Sequence, residues 1–147
     1  MQWINELLNL TGIEIGKIEQ TETSVFISCS SIFNEAICPE CKETCTRVTK
    51  YYERTIRDLS IFGKTTILKL ETRQYCCQKC FTYFNENFDF VLPKYEMTER
   101  YREYVFHSCK GQDIKQVAQK EGISWDVVNT IFQTWVKKKD IHTSLTK

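Results

Sequence analysis

The chain has 147 residues and a formal net charge of +1, with 20 Lys and Arg against 19 Asp and Glu. A chain of this length buries about 68–70% of its unfolded surface, enough for one domain or two small ones. No apolar run approaches the roughly 20 residues of a membrane span, which excludes a membrane helix, and the first residues lack the basic and apolar regions of a signal peptide. A reducing, cytoplasmic setting is expected.

The charge is unevenly spread. Residues 1–41 carry one Lys and six Glu, residues 42–73 eight basic against four acidic residues, and residues 94–147 ten basic against seven acidic. An anionic partner would meet the middle and the C-terminal third, although such blocks also occur on ordinary solvated faces.

In chain order, Trp3, Ile4, Leu7 and Leu8 form a short helical stripe, ended at Thr11-Gly12. Two strand-like runs, around Ile13–Ile15 and Val25–Ile27, flank a hairpin turn at Gln20-Thr21-Glu22-Thr23. Residues 46–56 are rich in strand formers, Asp58-Leu59-Ser60-Ile61-Phe62-Gly63 reads as a turn, and residues 65–75 alternate as a half-buried strand. Phe81, Tyr83, Phe84, Phe88, Phe90 and Val91 are expected as a small core beside a metal, in preference to a base-stacking platform. Pro93 marks a domain boundary.

The chemistry-bearing motifs are two C-x-x-C turns, Cys38-Pro39-Glu40-Cys41 and Cys77-Gln78-Lys79-Cys80. Four thiolates in two such pairs satisfy the tetrahedral preference of one structural Zn²⁺. A disulfide framework is disfavoured in a reducing compartment; a redox role for one pair or plain buried thiols are the rival readings. Cys29, Cys45, Cys76 and Cys109 are then surplus and read as small buried hydrophobes, with Cys45 and Cys76 close enough to the turns to act as substitute ligands.

The last third is helical. Thr98 is a suitable cap for a helix over 99–109, with Tyr101, Tyr104, Val105 and Cys109 as its inner stripe. A second helix over 114–121 buries Ile114, Val117 and Ala118, Gly122 suits a left-handed turn, and Ser124 caps a third helix with Val127, Val128, Ile131, Phe132 and Trp135 inward. Ala118, Gly122, Val128 and Ile131 are spaced as a helix-turn-helix requires, with a plain three-helix bundle as the bland alternative. The third helix then offers Ser124, Trp125, Asn129, Thr130, Gln133 and Lys137 to double-stranded DNA, since Asn and Gln pair with adenine edges and Lys and Thr suit phosphates. Arg54 and Arg57 are candidate phosphate contacts, or ordinary strand surface.

The order of the first turn, Arg54-Thr55-Ile56-Arg57-Asp58-Leu59, Gly63, the segment Arg73-Gln74-Tyr75-Cys76-Cys77-Gln78-Lys79-Cys80 with Phe84 and Glu86, and then the helix-turn-helix resembles the N-terminal part of bacterial ISL3-family transposases. The resemblance implies an α+β chain: a β-rich zinc-binding domain over 1–92, a three-helix DNA-binding domain over 93–139 and a tail over 140–147. It implies Cys38, Cys41, Cys77 and Cys80 as metal ligands and binding of an insertion sequence's terminal repeats by the third helix. Lys42 stands where family patterns often have Gly. The family's carboxylate triad lies further on than Lys147, and no carboxylate constellation able to hold two metal ions is visible here, so the chain is expected to bind DNA, associated with the nucleoid, rather than to catalyse. Self-association, pairing with a full-length transposase, and a zinc-stabilised protein-interaction or regulatory module are the further readings; no membrane partner is expected.

Overall fold

In the computed structural model, which describes residues 2–145, the chain divides into two units, Met1–Thr98 and Glu99–Lys147. The first unit runs α1 (Gln2–Leu8), β1 (Ile13–Gln20), β2 (Ser24–Ser31), β3 (Ala36–Ile37), β4 (Thr44–Cys45), β5 (Val48–Ile61), β6 (Lys64–Cys76) and β7 (Tyr83–Asn85). The second contains α2 (Glu99–Ser108), α3 (Ile114–Glu121) and α4 (Trp125–Leu145). The mixed α+β class expected from the sequence is the observed one.

The sheet has the order β1-β2-β6-β5, with β7 also on β6, and β3 pairs β4 separately. The β1–β2 hairpin turns through residues 21–23, where the Thr21 hydroxyl accepts the backbone N–H of Ser24 at 3.0 Å. β6 pairs antiparallel with β5 but parallel with β2, a long-range pairing that no local pattern announces. Strand alternation and register together build the core. Ile18, Ile27, Leu68 and Ile56 lie opposite one another across four strands, and Ile27, Leu68 and Ile56 are buried. Ile4 and Leu8, one helical turn apart, bring α1 onto this core, which Val91 completes. Each fully buried aliphatic side chain of this kind contributes about 1.5–3 kcal/mol.

Several local expectations are corrected. Trp3 and Leu7 are exposed rather than part of the inner stripe of α1. Residues 58–61 continue β5, and the turn is the two-residue Phe62-Gly63, both with positive φ (49° and 76°). Such a turn matches the twist of a hairpin, and the second position suits glycine. Asp58 is not a turn residue but a buried one, and its carboxylate accepts the Thr98 hydroxyl at 2.8 Å. Phe81 and Tyr83 are exposed, not core; Phe84 stacks on Tyr75 at 5.7 Å, while Phe88 and Phe90 pack against the main sheet core.

The segment after Pro93 is bound to the outer edge of β5. The Arg57 N–H donates to the Glu96 carbonyl at 2.9 Å, and the Thr98 N–H to the Arg57 carbonyl at 3.0 Å.

In the second unit, α2 buries Tyr101, Arg102, Val105 and Phe106, so the stripe runs through Arg102 and Phe106, and Tyr104 is exposed. The Arg102 guanidinium is held by Glu99 at 3.1 Å and lies 5.1 Å from the centre of the Trp135 ring. Phe106 stacks beside the same Trp135 and near Phe132. These contacts join α2 to α4. α3 is joined to α2 by the Tyr101 hydroxyl, which donates to Glu121 at 2.7 Å.

Candidate metal centre and nucleic-acid interface

The two C-x-x-C turns are built alike. In the first, the Cys38 N–H donates to the Glu43 carbonyl at 2.9 Å and the Lys42 N–H to the Cys38 carbonyl at 3.0 Å. In the second, Cys77 donates to Thr82 at 2.9 Å and Phe81 to Cys77 at 3.0 Å. In both, the residue after the second cysteine has a left-handed backbone: Lys42 at φ 64° and Phe81 at φ 61°. That conformation is costly for residues with a Cβ and free for glycine, so Lys42 and Phe81 each bear that cost.

The turns face each other. β6 carries the chain from the sheet to Cys77, and the β3–β4 ladder, with Ala36 opposite Cys45, closes the base of the first turn. Cys38 Sγ lies 3.5 Å from Cys80 Sγ, and Cys41 Sγ 3.4 Å from Cys77 Sγ. All four sulfurs fall within 4.8 Å of one another. A tetrahedral Zn²⁺ with bonds of about 2.3 Å needs sulfurs about 3.8 Å apart, so the quartet fits one ion after small adjustments.

The thiols differ in acidity. Cys77 is held down to about 6, first by the Cys80 N–H and then by the Lys79 N–H reaching its sulfur. Cys80 is lowered by the Thr82 hydroxyl and backbone. Cys41 receives a lowering bond from the Glu43 backbone, but burial and the thiols of Cys77, Cys80 and Cys38 outweigh it and push it up to about 12. The second turn therefore presents the readier thiolates. Cys38, Cys41, Cys77 and Cys80 are positioned to bind one structural Zn²⁺. Zinc bound there would tie residues 38–41 to residues 77–80 and so hold β3 and β4 against the end of β6.

In the second unit, Asp113 caps α3. Its side chain accepts the Gln116 N–H at 2.7 Å, and the Gln116 side chain accepts the Asp113 N–H at 3.1 Å. The D-x-x-Q spacing carries this capping box. Gly122 adopts φ 68° and ψ 33°, with its N–H on the Ala118 carbonyl. The Ser124 hydroxyl accepts the Val127 N–H at 3.2 Å and so opens α4. Val117, Ala118, Val128 and Ile131 are buried as the spacing requires, whereas Val127 is exposed.

Opposite Val128 and Ile131, the residues Trp125, Asn129, Gln133 and Lys137 succeed one another at intervals of four. With Thr130 they occupy an arc of about 140° at 3.6 residues per turn. Trp125, Thr130, Gln133 and Lys137 are exposed and Asn129 is half-buried. The Thr130 hydroxyl donates back to the Asp126 carbonyl at 2.9 Å. Arg54 and Arg57 are half-buried. Arg54 shares a row with Ile15, Cys29 and Leu70 on the covered sheet face. Its guanidinium donates to the carbonyls of Leu92 at 3.0 Å and Tyr95 at 2.8 Å. No helix among the described residues is long and apolar enough to cross a membrane.

A four-cysteine ribbon followed by helices with helix-turn-helix anchors defines a zinc-binding protein of the DNA-binding class. Residues 34–80 match the family described as the zinc-finger of transposase IS204/IS1001/IS1096/IS1165, and residues 86–136 match the helix-turn-helix domain of transposase family ISL3. The chain belongs to the ISL3 transposase family, as an N-terminal region carrying these two modules in order. Searches of curated proteins and of solved structures return no match.

Proposed function

We propose that this chain binds double-stranded DNA in a sequence-specific manner, at the terminal inverted repeats of an insertion sequence. The observation that carries the reading is the solvent-facing arc of α4. Trp125, Asn129, Thr130, Gln133 and Lys137 follow a helix start set by Ser124, on a helix anchored by Val128 and Ile131. In this reading α4 enters the major groove, Asn129 and Gln133 pair with base edges, the Trp125 ring packs on an apolar base edge, and Lys137 meets phosphate. Arg57, on the sheet face opposite the core, supplies a further phosphate contact. Arg54 acts through the fold, because its Nη2 nitrogen donates to the carbonyls of Leu92 and Tyr95. Zinc is structural and takes no part in the readout.

The test is anisotropy titration of labelled duplexes carrying terminal repeats of a related element, alongside scrambled duplexes, over a range of salt. Asn129→Ala or Gln133→Ala should cost about 1–3 kcal/mol at one base position and relax specificity there. Lys137→Ala should weaken all duplexes equally and lower the salt slope by about 1. Equal affinity for repeat and scrambled duplexes, unchanged by these substitutions, refutes the reading.

A further inference from the structure

We propose that Cys45 is a reserve ligand of the metal centre: when the Cys80 thiolate is lost, Cys45 takes its place and the ion keeps four sulfurs. Cys45 is fully buried in one cluster with Cys38, Cys77 and Tyr75, and its thiol lies against that of Cys77. Its backbone is fixed to the first turn by pairing with Ala36, two residues before Cys38. Its sulfur has a long bond, 3.5 Å, to the Glu43 carbonyl, which already accepts the Cys38 N–H, and a further one from the Gln78 backbone. A change of χ1 well moves a cysteine sulfur by about 3 Å. On that scale a thiol touching Cys77 comes within reach of an ion about 2.3 Å from the same Cys77 sulfur.

Cys80 is the ligand to be replaced because it is the exposed one of the four, the sulfur that a solvent-borne electrophile meets first. Cys76 cannot serve equally. It lies outside that cluster, and its thiol points at the Cys77 carbonyl at 3.8 Å. In the exchange the bond from the ion to the Cys80 sulfur breaks and one to the Cys45 sulfur forms. The proton leaving Cys45 passes to the released Cys80 thiolate. Where Cys80 has been alkylated, the leaving group of the alkylating agent departs as an anion and the Cys45 proton goes to solvent.

The experiment uses the full chain loaded with zinc or with Co²⁺, whose near-ultraviolet thiolate charge-transfer band scales with the number of bound sulfurs. Cys80→Ser is expected to keep one ion per chain and the full band. Cys80→Ser combined with Cys45→Ser should lose about a quarter of the band, as one sulfur of four, and should surrender zinc more readily to a chromogenic chelator. Cys80→Ser with Cys76→Ser should behave as Cys80→Ser alone. If Cys80→Ser by itself loses the quarter, or if removing Cys45 from it changes nothing, the proposal is wrong. Should the double variant fail to fold, the wild-type zinc protein answers the question under limited iodoacetamide. Alkylation confined to Cys80 without zinc release supports the reserve role, and zinc released one for one with Cys80 alkylation overturns it.

Discussion

Replacement of Gly122 isolates the turn on which the helix-turn-helix depends. Gly122 has φ 68° and its N–H caps Ala118, while a Cβ built there meets nothing within 4 Å. The cost of Gly122→Ala is therefore conformational, with no clash to relieve. The left-handed region costs an L-residue about 1–2 kcal/mol. Against this, alanine restricts the unfolded chain and returns about 0.4–1 kcal/mol. The net expectation is a loss of about 0.5–1 kcal/mol, or roughly 2–4 °C in melting temperature for a chain of this size. Urea unfolding followed by helical circular dichroism measures it, with Gly122→Asn and Gly122→Val as companions. Asparagine tolerates this region and should cost less than alanine; valine, β-branched, should cost more. If asparagine and valine both cost the same as alanine, the loss lies in something other than the left-handed backbone and the reasoning fails.

Chelation of zinc should release amide protection in residues 36–45 and 76–85 while α2–α4 stay protected, because no cysteine of the quartet lies in the second unit. Joining Cys41 to Cys77 across residues 42–76 is worth about 4 kcal/mol by the chain-entropy reasoning used for disulfides, and hydrogen exchange that is the same with and without metal would contradict it. Zinc affinity should fall with acidification. A thiol lowered from its usual 9.0 to about 6, as Cys77 is, favours the native state above its unfolded value, and that contribution is lost as the pH falls through about 6. Cys41, pushed up to about 12, must also shed a proton on binding, so a chelator titration showing the same affinity at pH 5 and pH 8 would refute the assignment. Arg54→Met should destabilise the first unit by roughly 1–2 kcal/mol and expose residues 92–96 to proteolysis, through loss of charge-assisted bonds to two carbonyls. Arg54→Lys should recover part of the loss, because both bonds come from the single Nη2 nitrogen and an ammonium has donors enough for two carbonyls. An Arg54→Met protein with full stability and altered salt dependence on DNA would reverse this assignment.

The metal centre was the most legible part of the chain, because C-x-x-C spacing is itself the geometry of a two-thiol turn. The bounds of α3 were equally open to reading, marked by Asp113, Gln116 and Gly122. Legibility failed where a polar residue is buried. The inner stripe of α2 was drawn through Tyr104, and Arg102, a charged residue, was left out of it. In the fold Glu99 and the Trp135 ring accommodate its charge, and Phe106 takes the core position. Asp58 misled in the same way: an acidic residue beside Leu59-Ser60 looks like a turn, but the Thr98 hydroxyl partners it inside the first unit. Arg54 carries a charge that suggests a surface role, yet its place in the row of Leu70 is set by the β5–β6 register. The parallel pairing of β2 with β6 depends on contacts about forty residues apart, for which hydrophobic periodicity carries no signal.

That parallel pairing has a consequence for how the protein is made. Ser24 and Ser30 pair with Thr65 and Glu71, so the first hairpin leaves the ribosome well before the strand that completes it. At about 5–20 residues per second, the nascent chain spends roughly 2–8 s with Val25, Ile27 and Cys29 lacking their final neighbours. During that interval the growing polypeptide offers chaperones an adhesive strand, and the strand that ends the wait, β6, is also the one that leads into the second pair of sulfurs.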